Sequence, residues 1–206
     1  FTELGAEKMV EVVEYSKRGS IEVIVGPMYA GKSEELIRRV NRAKIADLRV
    51  LVFKPDIDNR YTDNSISTHS GKELECLAVG SAKDIWEYVR EMNVDVLAID
   101  EGQFFGEEIL EICQRVAEDG KRVIVSGLDM DFRGEPFGII PNLMAIAEYV
   151  KKLTAICKVC KMPATRSQRL VNGRAAKEDD PIILVGAKES YEARCRKCHV
   201  VQRSYT

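Results

Sequence analysis

Gly26-Pro27-Met28-Tyr29-Ala30-Gly31-Lys32-Ser33 follows the apolar run Ile21 to Val25 and opens a charged, helix-forming segment. The octapeptide fits the phosphate-binding loop pattern, Gly-x-x-x-x-Gly-Lys-Ser, in full. Its two glycines let the backbone curl so that successive N–H groups point inward. Lys32 then reaches the β- and γ-phosphates of a nucleotide, and the Ser33 hydroxyl can ligate Mg²⁺. The N-terminus of the following helix adds the positive end of its dipole. The loop by itself leaves open where the γ-phosphate goes.

On either side the chain alternates strand and helix. Glu34 to Ala46 carries Leu36, Ile37, Val40, Ala43 and Ile45 at helical spacing among Arg and Lys, which predicts an amphipathic helix. Arg49 to Phe53 reads as a strand, and Lys54 to Gly71 as a long polar loop without periodicity. A strand is expected over Glu73 to Val79, a helix over Ala82 to Glu91, and a buried strand over Asp95 to Ile99. Glu107 to Glu118 reads as a helix closed by Gly120, followed by a strand from Arg122 to Ser126. Asn142 to Ala147 offers a last short helix and Tyr149 to Ile156 a last strand. Such alternation predicts a parallel sheet with its ligand beyond the carboxyl ends of the strands, where the loop, Asp100 and Gly127 emerge.

The 206 residues suffice for one buried core with a small appendage. A net charge of −2 gives no long-range attraction to polyanions, so no nucleic acid polymer is expected as a partner. No apolar run approaches the ~18 residues of a bilayer span, and Glu3, Glu7, Lys8, Glu11 and Glu14 stand where a signal peptide would be apolar. These features predict a cytoplasmic protein without membrane contact.

The strand ending at Ile99 leads into two acids. Asp100, at the end of an apolar strand downstream of a phosphate loop, is placed to orient Mg²⁺ and its waters. Glu101 leaves the strand in a different direction and can take a proton from whatever attacks the γ-phosphorus. Phe104 or Phe105 suits a flat ring ligand, and at least one of the two belongs to the core. Cys157-x-x-Cys160 and Cys195-x-x-Cys198 have the spacing of a structural zinc site, with a 34-residue loop stapled between them. His199 is a substitute ligand in principle, but reads as an ordinary surface histidine. Cys76 and Cys113 occupy apolar positions and read as core.

Taken in order, six stretches resemble one family, the type II thymidine kinases: residues 26 to 33; Lys54-Pro55 with Asp58-Asn59-Arg60-Tyr61; Asp100-Glu101-Gly102-Gln103-Phe104-Phe105; Gly127-Leu128-Asp129-Met130-Asp131-Phe132; Pro136-Phe137-Gly138; and Gly186 to Tyr191. The resemblance covers residues 20 to about 201. It implies an α/β fold with a P-loop, RecA-like parallel sheet flanked by helices and a small C-terminal zinc-binding lasso domain. The expected division is an extension over 1–19, a nucleotide-binding domain over 20–153, and a zinc-stapled lasso over 154–206 covering the nucleoside site.

The implied reaction transfers the γ-phosphoryl of ATP to the 5′-hydroxyl of thymidine, with deoxyuridine as a further substrate. By position, Glu101 resembles the general base, and Lys32 and Arg60 the cations that stabilise the transferring phosphoryl. Ser33 and Asp100 resemble the Mg²⁺ ligands, and Asp58 helps order its loop. Gly26, Pro27, Met28, Tyr29, Ala30, Gly31, Lys32 and Ser33, with Asp100, Glu101, Gly102 and Gln103, resemble the ATP site. Met28, Phe104, Leu128, Phe132, Ser167 and Tyr191 resemble the thymine pocket, with the backbone of Ile182, Ile183, Leu184, Val185 and Gly186 along the base edge. The four cysteines resemble the ligands of a structural Zn²⁺. Feedback inhibition by thymidine triphosphate and a homotetramer are implied in the same way. Ala30 stands where many relatives carry Ser, and it contributes no phosphate-binding side chain. The zinc staple is expected to lie away from the phosphates, so its loss should weaken nucleoside binding more than ATP binding.

A P-loop GTPase or ATPase switch with a structural zinc is the competing reading, because Asp131-Phe132-Arg133-Gly134 fits the Asp-x-x-Gly signature; the guanine-reading Asn-Lys-x-Asp motif is absent. A helicase motor would need a second domain and a basic face. A zinc-ribbon binding module would leave the phosphate loop and the acid pair without a role.

Overall fold

The computed structural model describes residues 19–56, 65–67, 73–182 and 189–203. Asp58, Arg60, His69 and Ile183 to Gly186 therefore lie outside the described residues, as does all but the last residue of the expected N-terminal extension.

Six strands form one wholly parallel sheet. They are β1 (Ser20–Val25), β2 (Val50–Pro55), β5 (Leu77–Val79), β6 (Val96–Ile99), β7 (Arg122–Gly127) and β8 (Tyr149–Lys152), in the order β5-β2-β6-β7-β1-β8. The central strands are apolar on both faces because both are covered. Val23 and Val25, Leu97 and Ile99, and Val123 and Val125 point into one core, while Ile24, Val96, Ala98 and Ile124 point into the other. Helix α1 (Lys32–Ile45) closes the second face with Leu36, Ile37, Val40 and Ala43. On the first face lie α2 (Ala82–Glu91), α3 (Glu108–Glu118) and α4 (Ile140–Ile146), which contribute Ile85 and Val89, Ile109, Ile112 and Val116, and Ile140 and Leu143 respectively. A capping box between Ser81 and Asp84 starts α2, and Gly120, at φ 79°, supplies the left-handed residue just beyond α3.

The structure departs from the sequence reading in three segments. The strand expected over 73–79 is two: β4 (Glu73–Glu75) pairs antiparallel with β3 (Ser65–Ser67), and only β5 joins the main sheet. Ile66 and Leu74 of this hairpin pack beside α1, so the expected structureless loop contributes to the core. The strand expected over 149–156 also divides, with β8 in the sheet and β9 (Ala155–Ile156) paired with β10 (Pro163–Ala164). The last helix begins at Ile140, two residues before the expected start, with Pro141 in the first turn where its missing N–H is harmless.

At the amino ends of the strands a cavity of about 820 Å³ is lined by Glu22, Glu35, Arg38, Arg39, Arg122 and Lys151, among others. These charges pair with one another: Glu22 accepts from Arg39 and Arg122, and Glu35 from Arg38, Arg39 and Lys151. Its Arg partners, Arg38 foremost, hold the Glu35 carboxyl down at about 2, and Arg49 holds Asp95 at about 2. Both folded values lie below those of unfolded carboxyls, so each contribution to stability is complete above about pH 4.5 and is lost as pH falls toward 2. Urea midpoints measured across that window should fall with acid, and Glu35→Gln should flatten the dependence. An equally steep profile in the variant would exclude Glu35 as a source.

Candidate active site

The phosphate loop leaves β1 through Gly26 at φ 148°, passes Tyr29 at φ 66° and Gly31 at φ 81°, and enters α1 at Lys32. A β-carbon on Gly26 would stand 2.6 Å from the Leu153 carbonyl oxygen, so this position requires glycine. Tyr29 adopts the left-handed region despite its side chain, at a cost of about 1–2 kcal/mol. Lys32 is buried, and its Nζ donates to the Pro27 carbonyl at 3.0 Å, inside the curve of the loop. Burial pulls its ammonium below the usual lysine range; the charges of Glu101, Asp100 and Asp129 act the other way.

Asp100 emerges from β6, two strands away from β1. Ser33 Oγ donates to its Oδ2 at 3.1 Å, which joins the loop to the acid. Its Oδ1 accepts from Ser126 Oγ and from the Glu101 amide at 3.0 Å. Sheet register explains Ser126: Ile99 pairs with Val125, so the next residue of β7 stands beside Asp100. Sequence reasoning passed over this serine. Its signal is a lone hydroxyl following the apolar run Val123-Ile124-Val125.

Glu101 turns out of the strand at φ 52°. Burial pushes its carboxyl above the usual range, and the Asp100 charge adds to that; Lys32 and a hydrogen bond from Gln103 act against it. Gln103 Nε2 lies 2.5 Å from Glu101 Oε2. Phe105 is buried in the core, as expected of at least one of the pair, whereas Phe104 is half-buried and meets Phe137 edge to face at 5.9 Å.

Beyond β8 the chain builds a small unit from the β9–β10 hairpin and a second sheet, in which β11 (Arg166–Val171) pairs with β12 (Arg174–Ala175) and β13 (Glu189–Arg194). The sulfur atoms of Cys157, Cys160, Cys195 and Cys198 lie within 4.8 Å of one another, with Cys160 and Cys195 at 3.6 Å. A tetrahedral Zn²⁺ with bonds of about 2.3 Å separates its sulfurs by about 3.8 Å, so the four fit this ion. Amide donors, Cys160 N–H first, hold the Cys157 thiol down at about 6, whereas Cys198, whose thiol serves Cys195 and Cys160, is pushed up to about 12. Four cysteine sulfurs at this spacing could hold one metal ion.

The matching family model is thymidine kinase, over residues 19–199. The chain belongs to the thymidine kinase family. The match takes in the phosphate loop, the acid pair and the four cysteines. Solved structures with a related arrangement include a DNA replication initiation factor, at 16% identity over 73% of this chain and 45% of that one, with a TM-score of 0.43. Domain III of the Thermotoga maritima replication initiation protein DnaA matches at 18% identity over 73% of this chain and 61% of its own, with a TM-score of 0.41. The chain thus spans less than two thirds of these proteins, and at such scores they say nothing of its function.

Three of the residues expected at the thymine pocket, Met28, Ser167 and Tyr191, stand where the small unit meets the loop. The Met28 amide donates to Ser167 Oγ at 3.0 Å, Tyr29 Oη donates to the Tyr191 carbonyl at 3.1 Å, and Ala30 packs with Ala155, Cys157, Ala164 and Ala193. One expectation is corrected here. Ala30 is a further contact between loop and cysteine unit, its methyl group lying against that alanine-lined surface. The zinc staple is accordingly next to the phosphate loop and not remote from it. Leu128 follows β7 and is half-buried; Phe132 is buried, with the Arg169 guanidinium 5.0 Å and that of Arg133 5.8 Å from its ring centre. Ile182 is exposed. His199 is no free surface residue: its Nε2 lies 2.8 Å from the Phe132 carbonyl, an acceptor, so that nitrogen carries the proton. Burial lowers its basicity.

The Asp-x-x-Gly match is a local turn. Asp131 accepts from Arg133 Nε at 2.9 Å and from the amides of Arg133 and Glu135. Asp129, also unforeseen, is buried after β7, and Lys152 at the end of β8 meets its Oδ2 at 2.6 Å, spanning β1 between them.

Proposed function

We propose that the protein transfers the γ-phosphoryl group of ATP to the 5′-hydroxyl of thymidine, giving thymidine monophosphate and ADP in nucleotide salvage. The observation that carries this is the convergence of Lys32, the Ser33–Asp100 pair and Glu101 at the carboxyl edge of the sheet, in a member of the thymidine kinase family. Inward N–H groups of the loop and Lys32 bind the β- and γ-phosphates. Ser33 and Asp100 are the residues to hold Mg²⁺, which when bound offsets phosphate charge. Glu101, a stronger base than an exposed carboxylate, accepts the 5′-hydroxyl proton as the oxygen attacks phosphorus. Positioning and electrostatic stabilisation supply the rest of the barrier reduction. Arg60 is assigned the second cationic contact on sequence resemblance.

Met28, Phe104, Leu128, Phe132, Ser167 and Tyr191 form the proposed thymine site, with the Ile182 to Gly186 backbone on the base edge. Zn²⁺ is the proposed ion of the four cysteines. A cytoplasmic homotetramer inhibited by thymidine triphosphate completes the reading. A switch GTPase is disfavoured by the turn that occupies Asp131.

A panel of deoxynucleosides with ATP and Mg²⁺ tests the proposal. Monophosphate formation from thymidine, with deoxyuridine next and purine deoxynucleosides lowest, is expected. ATP turnover indifferent to every nucleoside would exclude it.

A further inference from the structure

We infer that Gln103 is a positioning residue that aims Glu101 and ties its orientation to the nucleobase side of the site. This rests on Glu101 being the general base. Sequence resemblance groups Gln103 with the ATP-binding residues, but its side chain is buried and both ends of its amide are engaged within the protein. The Leu128 amide donates to Gln103 Oε1 at 3.0 Å. Since an N–H needs an acceptor, this bond fixes which end of the amide is which. The NH₂ group must then face Glu101 Oε2.

The surroundings of Gln103 are close-packed. A β-carbon on Gly127 would stand 2.7 Å from Gln103 Oε1 and 2.7 Å from Ile140 Cδ1. One on Gly138, at φ 53°, would stand 2.6 Å from the Gln103 carbonyl oxygen. Glycine at 127 leaves room for this side chain, and glycine at 138 for the backbone that carries it.

Two consequences follow for the chemistry. With Oε2 held by Gln103, Oε1 is the carboxylate oxygen left to receive a proton. Leu128 also belongs to the proposed thymine site, so a base that displaces its backbone displaces Gln103 and then Glu101. Correct pyrimidine binding thereby sets the base for the reaction, which separates effects on turnover from effects on affinity.

Gln103→Met, similar in length and without a donor, tests this in the full-length protein. Expected are a fall in kcat of about 10- to 100-fold and a thymidine KM within about threefold of the parent. Calorimetric ATP binding and thermal melting establish that the variant is folded. If it is not, Gly127→Ala keeps the glutamine while displacing its Oε1 and should lower kcat with the same small change in KM. Parental kcat, or a fall in kcat matched by an equal rise in the KM for thymidine, would overturn the positioning role. Glu101→Gln in parallel distinguishes the two failures: if it is inactive while Gln103→Met is normal, only the role of Gln103 fails. If Glu101→Gln is itself active, the general-base reading fails and this inference with it.

Discussion

Glu101→Gln is expected to lower thymidine phosphorylation by about 10²- to 10⁴-fold in kcat while changing the KM for either substrate by less than about threefold. An amide cannot accept the hydroxyl proton, yet it matches the carboxylate in size and keeps an oxygen toward Gln103, so the pocket persists. The pH profile provides a second readout. Burial and Asp100 raise the folded Glu101 above the ordinary carboxyl value, so parental activity declines as pH falls through that raised value. The residual rate of the variant should lack this limb. Near-parental turnover, or an unchanged acid limb, would remove Glu101 from the proton transfer.

Cys157→Ser has the second large expected effect, and it reaches both substrates. The residue is buried, its sulfur belongs to the four-cysteine cluster, and the same cluster carries Ala30 of the phosphate loop. Loss of one thiolate should release the metal and lower the melting temperature by roughly 5 °C or more. The KM values for ATP and thymidine should both rise, by about an order of magnitude, because Met28 and Tyr29 are bonded to the strands this unit organises. Metal content by emission spectroscopy and separate titrations of the two substrates check it. A zinc-free protein with parental ATP affinity would show that the loop keeps its shape unaided.

The P-loop, the buried strands and the acid pair were legible because each depends on local chemistry. Glycines answer positive φ, apolar runs answer two-sided burial, and Asp100 and Glu101 end such a run. Ser126, Gln103 and Asp129 were not read in their roles, since each has a partner far along the chain: 26 residues separate Ser126 from Asp100 and 25 separate Gln103 from Leu128. Only sheet register brings them together. The β3–β4 hairpin was missed because three-residue strands are too short for periodicity to register, and their burial depends on α1. His199 was misjudged for a related reason: its partner is a backbone carbonyl 67 residues away, invisible to a reading of side-chain pattern.

Residues 28, 29 and 30 engage Ser167, Tyr191 and the alanine surface one after another, while Leu153 donates to Val25 at 2.7 Å just below them. The chain therefore has no cut near residue 153 that yields a self-sufficient nucleotide-binding half. An amino-terminal fragment would carry every residue of the phosphate motif and still lack the partners that hold its crest. In evolutionary terms, the loop and the cysteine unit must change together, and a swap of one unit between relatives has to bring the three-residue crest with it.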